Sequence, residues 1–86
     1  MKNWNLCGFV ISSKQRSKVM LFLDVPKTPS TVAKKLKLSL AHASKIIREL
    51  EKKKLIVCLN PEATKGRLHK RTKIGDEIVK YIEENM

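Results

Sequence analysis

The chain has 86 residues, which is enough for one domain with a small hydrophobic core and leaves no room for a second domain. Nineteen Lys and Arg residues face eight Asp and Glu residues, and the resulting net charge of +11 exceeds what solubility asks of a small domain. A positive field of this size favours a polyanionic partner, either nucleic acid or an anionic membrane surface.

The charge is distributed unevenly along the chain. Residues 1–37 contain eight basic residues and one acidic residue, residues 38–72 contain nine and three, and residues 73–86 contain two and four. We therefore expect the basic body of the domain to face the polyanion and the C-terminal segment to point away from it.

Residues 1–12 are expected to form an N-terminal arm. Its apolar stretch is too short to span a bilayer and lacks a small-residue cleavage site, so the sequence predicts a cytoplasmic protein without a membrane partner. Trp4 and Phe9 have two interpretations, as a cover for the core or as the anchor of a dimer. Cys7 and Cys58 lie far apart and match no metal-binding spacing, so we expect reduced thiols and no metal site.

Two short helices follow this arm. Residues 14–23 place apolar side chains at helical spacing, and this helix ends before Pro26 because a residue that precedes proline is pushed out of the helical region. A second helix begins after Thr28, which can cap it, with Pro29 at the first helical position. Its inward face consists of Val32, Ala33 and Leu36.

A third helix is predicted over residues 39–53, with Ser39 as its N-cap. Apolar residues recur three or four positions apart in this segment and form one buried stripe. The stripe consists of Ala43, Ile46, Ile47 and Leu50. The opposite face is polar and carries a basic excess, so we expect it to be exposed.

Residues 54–72 are predicted to form a β-hairpin with a basic tip. Its first strand covers residues 55–59, which are rich in β-branched side chains, and its second strand covers residues 67–72. A last helix over residues 73–86 shares one apolar face among Ile74, Ile78, Tyr81 and Ile82. The sequence therefore predicts a mainly α protein with a small β-hairpin, in the order helix, helix, helix, strand, strand, helix.

The second and third helices, joined by Lys37-Leu38, form a helix-turn-helix pattern. The start of the second helix of such a pair enters the major groove, so its residues must be small or polar. Candidate base contacts are Ser39, Ala41, His42 and Lys45. Candidate backbone contacts are Thr28, Ser30, Thr31, Lys34, Lys35, Arg48 and Lys52. The hairpin tip supplies Lys65, Gly66 and Arg67, which are placed to reach an adjacent minor groove.

The chain resembles the winged helix-turn-helix transcription regulators, especially the small archaeal ones of the broad MarR/ArsR-like group. Residues 13–19, 28–36, 38–51 and 55–75 carry the resemblance, and the last stretch includes the Thr-x-x-Gly start of the closing helix. The resemblance implies that the third helix is the recognition helix and the hairpin is the wing. It also implies base-facing roles for Ser39, Ala41, His42 and Lys45, and backbone-facing roles for Ser44 and Arg48.

The chain departs from this family pattern in two ways. Lys37 and Lys54 stand where such proteins usually have glycine, at helix ends that need a left-handed residue, and each costs about 1 kcal/mol. The chain also lacks the extra helices that form the ligand pocket of full-length MarR-like proteins. We therefore expect no small-molecule substrate and no cofactor, and the absence of clustered Cys, His or carboxylate residues argues against metal sensing.

These observations favour a sequence-specific double-stranded DNA-binding transcription regulator that acts as a homodimer on a palindromic site. The apolar face of the closing helix has two interpretations, as a dimer surface or as part of the core of its own domain. The alternatives are a protein-interaction winged helix and a general nucleic-acid-binding module, architectural or RNA-binding. An enzyme is least favoured, because two His residues and scattered carboxylates form no acid–base pair or activated nucleophile.

Overall fold

The structure, a computed structural model, describes residues 4–85. Its elements in chain order are α1 (Trp4–Ile11), α2 (Lys14–Phe22), α3 (Pro29–Leu36), α4 (Leu40–Lys52), β1 (Ile56–Cys58), β2 (His69–Arg71) and α5 (Lys73–Asn85). The predicted fold class is confirmed, because three helices, a β-hairpin and a closing helix follow one another as expected. One helix, α1, precedes them.

Most of the predicted N-terminal arm, for which the sequence indicated no conformation, is helical, because α1 covers Trp4–Ile11. Cys7 and Val10 lie three positions apart and are both buried, which gives α1 an inward face. Phe9 is partly buried and packs against the core, as one of its two interpretations predicted. The side chain of Trp4, for which the same prediction was made, lies outside the described residues. Residues 1–3 and 86 also lie outside them.

Serine and threonine hydroxyls fix the starts of three helices. Ser13, Thr28 and Ser39 stand before α2, α3 and α4, and each side chain accepts a hydrogen bond from the backbone N–H three residues later. The predicted caps Thr28 and Ser39 are confirmed, and Pro29 occupies the first helical position of α3 as expected. These caps set where the two helices of the helix-turn-helix pair begin.

Two left-handed lysines end the same pair of helices. Lys37 has φ 58° after α3 and Lys54 has φ 62° after α4, so the predicted left-handed positions are confirmed. Beyond Lys54, the Thr72 hydroxyl donates to the Lys54 carbonyl at 2.8 Å and accepts from the Gly75 N–H at 3.2 Å. Gly75 lies so close to the Leu55 carbonyl that an added Cβ would overlap it. The start of α5 is thereby held against the base of the hairpin.

The core is assembled from all five helices and the hairpin. Its buried members are Cys7, Val10, Val19, Met20, Leu23, Val32, Ala33, Ala43, Ile46, Ile47, Leu50, Leu55, Ile56, Ile78, Val79 and Ile82. The predicted stripe of α4 is confirmed as part of it. On α5 the inward face is rotated from the predicted one, because Val79 is buried whereas Ile74 is exposed. Ile78 and Ile82 pack within their own domain, as the second interpretation of this face predicted.

The strands are shorter than predicted, with three residues in each. Val57 pairs with Lys70 at the centre of the antiparallel ladder, and Lys27 adds an isolated bridge to His69 on the other edge of β2. Beyond the strands, the Asn60 side chain accepts from the Leu68 N–H at 2.7 Å and donates to the Gly66 carbonyl at 3.1 Å. This side chain closes the wing loop together with one more backbone hydrogen bond, which the Leu59 N–H donates to the Leu68 carbonyl at 2.8 Å.

Candidate nucleic-acid interface

A basic stripe runs along the outer side of α4. Ala41, Lys45, Arg48 and Lys52 are all exposed, and their spacing of three or four residues places them on one side of the helix. The buried stripe of α4 lies on the other side and packs on α3 and the core. The helix therefore presents a cationic surface that runs from Lys45 in its second turn to Lys52 in its last.

Both acidic residues of α4 lie away from this basic stripe. Glu49 is 3.5 Å from the Arg16 guanidinium of α2, and Glu51 is 3.8 Å from Nε2 of His69 in β2. Each carboxylate therefore faces a neighbouring element of the same domain. The arrangement leaves the outer side of α4 uniformly positive, which is the potential that a phosphate backbone requires.

The predicted base-contact residues occupy three kinds of position. Ala41 and Lys45 lie on the basic stripe. His42 is exposed beside it, on the α2 side, because it shares a helical position with Glu49 two turns later. Ser39 is exposed, but its side-chain oxygen accepts the His42 N–H at 3.1 Å, which leaves the hydroxyl hydrogen available for a partner.

The N-terminus of α3 holds three of the predicted phosphate ligands. The Thr28 hydroxyl accepts from the Thr31 N–H at 3.2 Å and lies 2.9 Å from the Thr31 hydroxyl, so one hydroxyl hydrogen of this pair remains available for a partner. Ser30 is exposed and is the predicted phosphate ligand best placed to act there. Lys34 and Lys35 are exposed in the last turn of α3, at the end opposite Ser30.

A surface groove joins three of the predicted segments. It lies between the start of α3, the start of α4 and the tip of the wing, and its volume is about 360 Å³. Its lining residues are Thr28, Pro29, Ser30, Leu40, Ser44, Thr64, Lys65, Gly66 and Arg67. The structure thus brings together backbone-contact candidates from α3, α4 and the wing that are far apart in the sequence. Lys34, Lys35 and the outer cations of α4 do not line it.

Leu40 is a surface residue that sequence reasoning missed. It is 55% exposed in the first turn of α4 and lines the groove beside the wing. An exposed leucine in a capped helix start adds nothing to the core. At the start of a helix that enters the major groove, an apolar side chain can contact a thymine methyl group. The position of Leu40 directly after the Ser39 cap was the sequence feature that could have identified it.

A smaller cavity of about 170 Å³ lies deeper, between α4 and the wing. Its lining residues are Pro29, Ser44, Ile47, Arg48, Glu51, Arg67 and His69. His69 is buried at its base, and this burial lowers the pKa of the imidazole, whereas the nearby Glu51 carboxylate opposes that shift. Sequence reasoning treated His69 as a structural or solvated residue and did not connect it with Glu51, because the two meet only in the folded chain.

Other kinds of site find little support in the part of the chain that the structure describes. Over residues 4–85, no three His, Cys, Asp or Glu side chains come together in a way that would hold a metal ion. In the same range, no helix has the length and apolar character needed to cross a membrane.

Comparison with known proteins identifies the architecture. The sequence matches no family model and no curated protein sequence. Among solved structures, Staphylococcus aureus MepR bound to an oligodeoxyribonucleotide aligns with 92% of this chain and 62% of its own, with a TM-score of 0.77 and 20% identity. A MarR variant from E. coli complexed with operator DNA aligns with 93% of this chain and 62% of its own, with a TM-score of 0.75 and 23% identity.

A variant of Lactococcus lactis ZitR also aligns, over 84% of this chain and 51% of its own, with a TM-score of 0.71 and 22% identity. The chain thus spans between about half and two thirds of the length of these three proteins. All three identities are low, so the similarity concerns the backbone. The chain has the winged helix-turn-helix fold that MarR, MepR and ZitR share.

Proposed function

We propose that the chain is a sequence-specific double-stranded DNA-binding transcription regulator. Its recognition helix α4 would enter the major groove, and its wing would contact the adjacent groove or backbone. The observation that carries this proposal is the uninterrupted basic stripe of Lys45, Arg48 and Lys52 beside the groove that links α3 to the wing. In a helix-turn-helix protein, that surface is the one that meets DNA.

Two solved structures with the same fold support this proposed function. MepR and MarR, whose fold this chain shares, are found bound to an oligodeoxyribonucleotide and to operator DNA, respectively. We assign base contacts to Ser39, Ala41, His42 and Lys45. Phosphate contacts are assigned to Ser30, Ser44, Arg48, Lys52 and the wing residues Lys65 and Arg67.

A protein-interaction role is the second candidate, because the outer face of the wing is apolar. Val57, Leu59 and Leu68 are all exposed, and the strand register places them on one face of the hairpin. Exposed apolar patches mark interaction sites. An RNA-binding role has less support, since neither α4 nor the wing has a Phe, Tyr or Trp residue for base stacking.

Oligomeric state, location and origin remain predictions. A homodimer is expected from the small size of the domain, but Ile78 and Ile82 fill the core of their own domain, so the dimer interface must use other residues. Sedimentation analysis of the free protein tests this. A DNA-binding role implies a cytoplasmic location beside the DNA. The archaeal character of the resemblance is not addressed by MepR, MarR or ZitR, which come from bacteria.

The proposed orientation of α4 is tested by replacing Arg48 with Ala. We expect affinity to fall similarly for all duplex sequences, and the slope of log affinity against log salt to fall by about 0.9, because one phosphate contact is lost. Lys80→Ala is the matched control, because it removes one exposed positive charge from α5, away from the groove. Equal effects of the two substitutions would mean that net charge alone drives binding.

The predicted role of His42 requires a different measurement. Replacing His42 with Ala should change which duplex sequences are preferred and leave the salt slope nearly unchanged, because a base contact specifies sequence without neutralising phosphate. Selection from a random duplex pool with the parent and the variant measures this. Identical selected motifs would remove His42 from the base-reading set.

A further inference from the structure

His69 lies at the boundary between the wing and the recognition helix. Among the described residues, it is the polar residue that is buried there, and its imidazole can bind a proton. It is 4% exposed and lines the 170 Å³ cavity between α4 and the wing. Its backbone pairs with Lys27 on one side and with β1 on the other, which holds the main chain in place. The imidazole therefore lies beneath the surface proposed to meet DNA.

Only one of the two imidazole nitrogens of His69 faces a partner in this position. Nε2 lies 3.8 Å from the Glu51 carboxylate of α4, and Nδ1 is buried with no hydrogen-bond partner among the described residues. A neutral imidazole can donate from only one of its nitrogens, whereas the protonated form donates from both. Protonation would give Glu51 a full ion-pair partner that connects β2 of the wing to α4.

Several charged groups surround this pair. Arg48 and Arg67 line the same cavity, and Arg67 disfavours a positive charge on His69, as does burial. The remaining nearby charges have partners of their own, because Lys27 pairs with Asp24 and Arg71 pairs with Asp76. Cys58, directly opposite His69 in the sheet, is a buried free thiol. Protonation of His69 is therefore opposed first by its burial and then by the charge of Arg67, and it is favoured by the Glu51 carboxylate.

We propose that His69 and Glu51 are positioning residues that couple the wing to the recognition helix, and that DNA binding is accompanied by uptake of a proton on His69. The inference rests on the proposed DNA-binding function. Phosphates that approach Arg48 and Arg67 would offset the positive potential that opposes protonation of the imidazole. Because binding then favours the protonated form, linkage requires that protonation favours binding, so DNA affinity rises as the pH falls.

The expected effect is moderate and measurable. If the pKa of His69 is one unit higher in the complex than in the free protein, affinity rises by at most about tenfold between about pH 8 and about pH 5.5. The measured quantity is the ratio of the two affinities for one duplex at constant salt, obtained by fluorescence anisotropy. A ratio cancels any change in affinity that is independent of pH.

Three variants separate His69 from other groups. His69→Gln cannot gain a proton at this position, so its affinity ratio should fall, whereas Glu49→Gln, which removes the α4 carboxylate that faces Arg16 instead of His69, should retain the parent ratio. Glu51→Gln removes the partner of the imidazolium and should lower the ratio. An NMR titration of the His69 ring in the parent protein, with and without duplex, reports proton uptake directly and needs no substitution.

The outcomes are distinct. A higher pKa of His69 in the complex, together with a reduced ratio in Glu51→Gln, supports the proposal even if His69→Gln does not fold. An unchanged His69 pKa on DNA binding, or a ratio that is reduced equally in Glu49→Gln and Glu51→Gln, overturns it. A parent protein that binds no duplex at either pH refutes the proposed function and this inference with it. A parent protein that binds equally at both pH values refutes the coupling alone.

Discussion

Gly75 is the position where α5 approaches the hairpin most closely, and its replacement by Ala tests the packing directly. The added Cβ would overlap the Leu55 carbonyl oxygen and would also lie 3.2 Å from the Met20 methyl carbon and 3.3 Å from Cβ of Arg71. The carbonyl is held in place by the Thr72 N–H, which donates to it at 3.0 Å. Relief therefore requires a shift of the backbone of α5 or of the hairpin.

Backbone shifts of this kind cost about 1–3 kcal/mol. For a domain of this size, a loss of about 2 kcal/mol lowers the melting temperature by about 8–16 °C. Gly8→Ala provides the control, because Gly8 lies in α1 with no atom within 4 Å of an added Cβ. This change should stabilise the protein by about 0.5–1 kcal/mol through helix propensity.

Urea denaturation followed by far-ultraviolet circular dichroism measures both variants against the parent protein. The structure predicts shifts of opposite sign for Gly75→Ala and Gly8→Ala. A Gly75→Ala protein at least as stable as the parent would show that the close approach of α5 to the Leu55 carbonyl is wrong. Equal shifts of one sign in both variants would contradict the local environments described for these glycines.

Three further predictions concern backbone strain, pH and thiol reactivity. Lys37→Gly should stabilise the protein by up to about 1 kcal/mol in urea denaturation, because it relieves a left-handed lysine. Lys35→Gly removes the same charge from the last helical turn of α3 and should instead destabilise the protein, by up to about 1 kcal/mol. Burial lowers the pKa of His69 in the folded chain, so the unfolded state binds more protons below the ordinary histidine pKa of 6.5. The free energy of unfolding should therefore decrease as the pH falls through that value. A His69→Gln protein with the same pH dependence of stability would refute this. Cys7 is 2% exposed and burial raises its pKa, so iodoacetamide should modify it only when urea unfolds the chain, and rapid alkylation of Cys7 in the native protein, detected by mass spectrometry, would be inconsistent with its burial.

Local chemistry in the sequence was sufficient to predict the helix-turn-helix pair. A hydroxyl cap depends only on residues within one turn, so Thr28 and Ser39 were recognised from the sequence and are confirmed as caps. Lys37 and Lys54 were predicted to be left-handed from their places at helix ends, and both have positive φ. Periodicity defined the buried side of α4 because its apolar and charged residues alternate in clear contrast.

Other features were not predicted, either because apolar and charged residues do not alternate clearly or because the contacts join residues that are far apart in the sequence. Residues 4–11 form one apolar run without charged residues, so no polar face marked α1 as a helix. The sequence predicted the wrong buried side for α5 because Gly75, which lies in the middle of the true buried side, has no apolar side chain to mark it. Ile74 lies on the exposed side of the helix. The contact between Glu51 and His69 joins α4 to the wing and depends on how the hairpin folds back, which no local pattern reveals.

The central claim is that the basic stripe of α4 reads double-stranded DNA. The most direct test titrates the purified protein with a random duplex DNA pool and a matched RNA duplex at two salt concentrations, and then sequences the DNA that is retained. We predict preferential binding to DNA that weakens with salt and enriches one palindromic motif. Equal, weak and motif-free binding to both duplexes would contradict the claim and would leave a general affinity for polyanions.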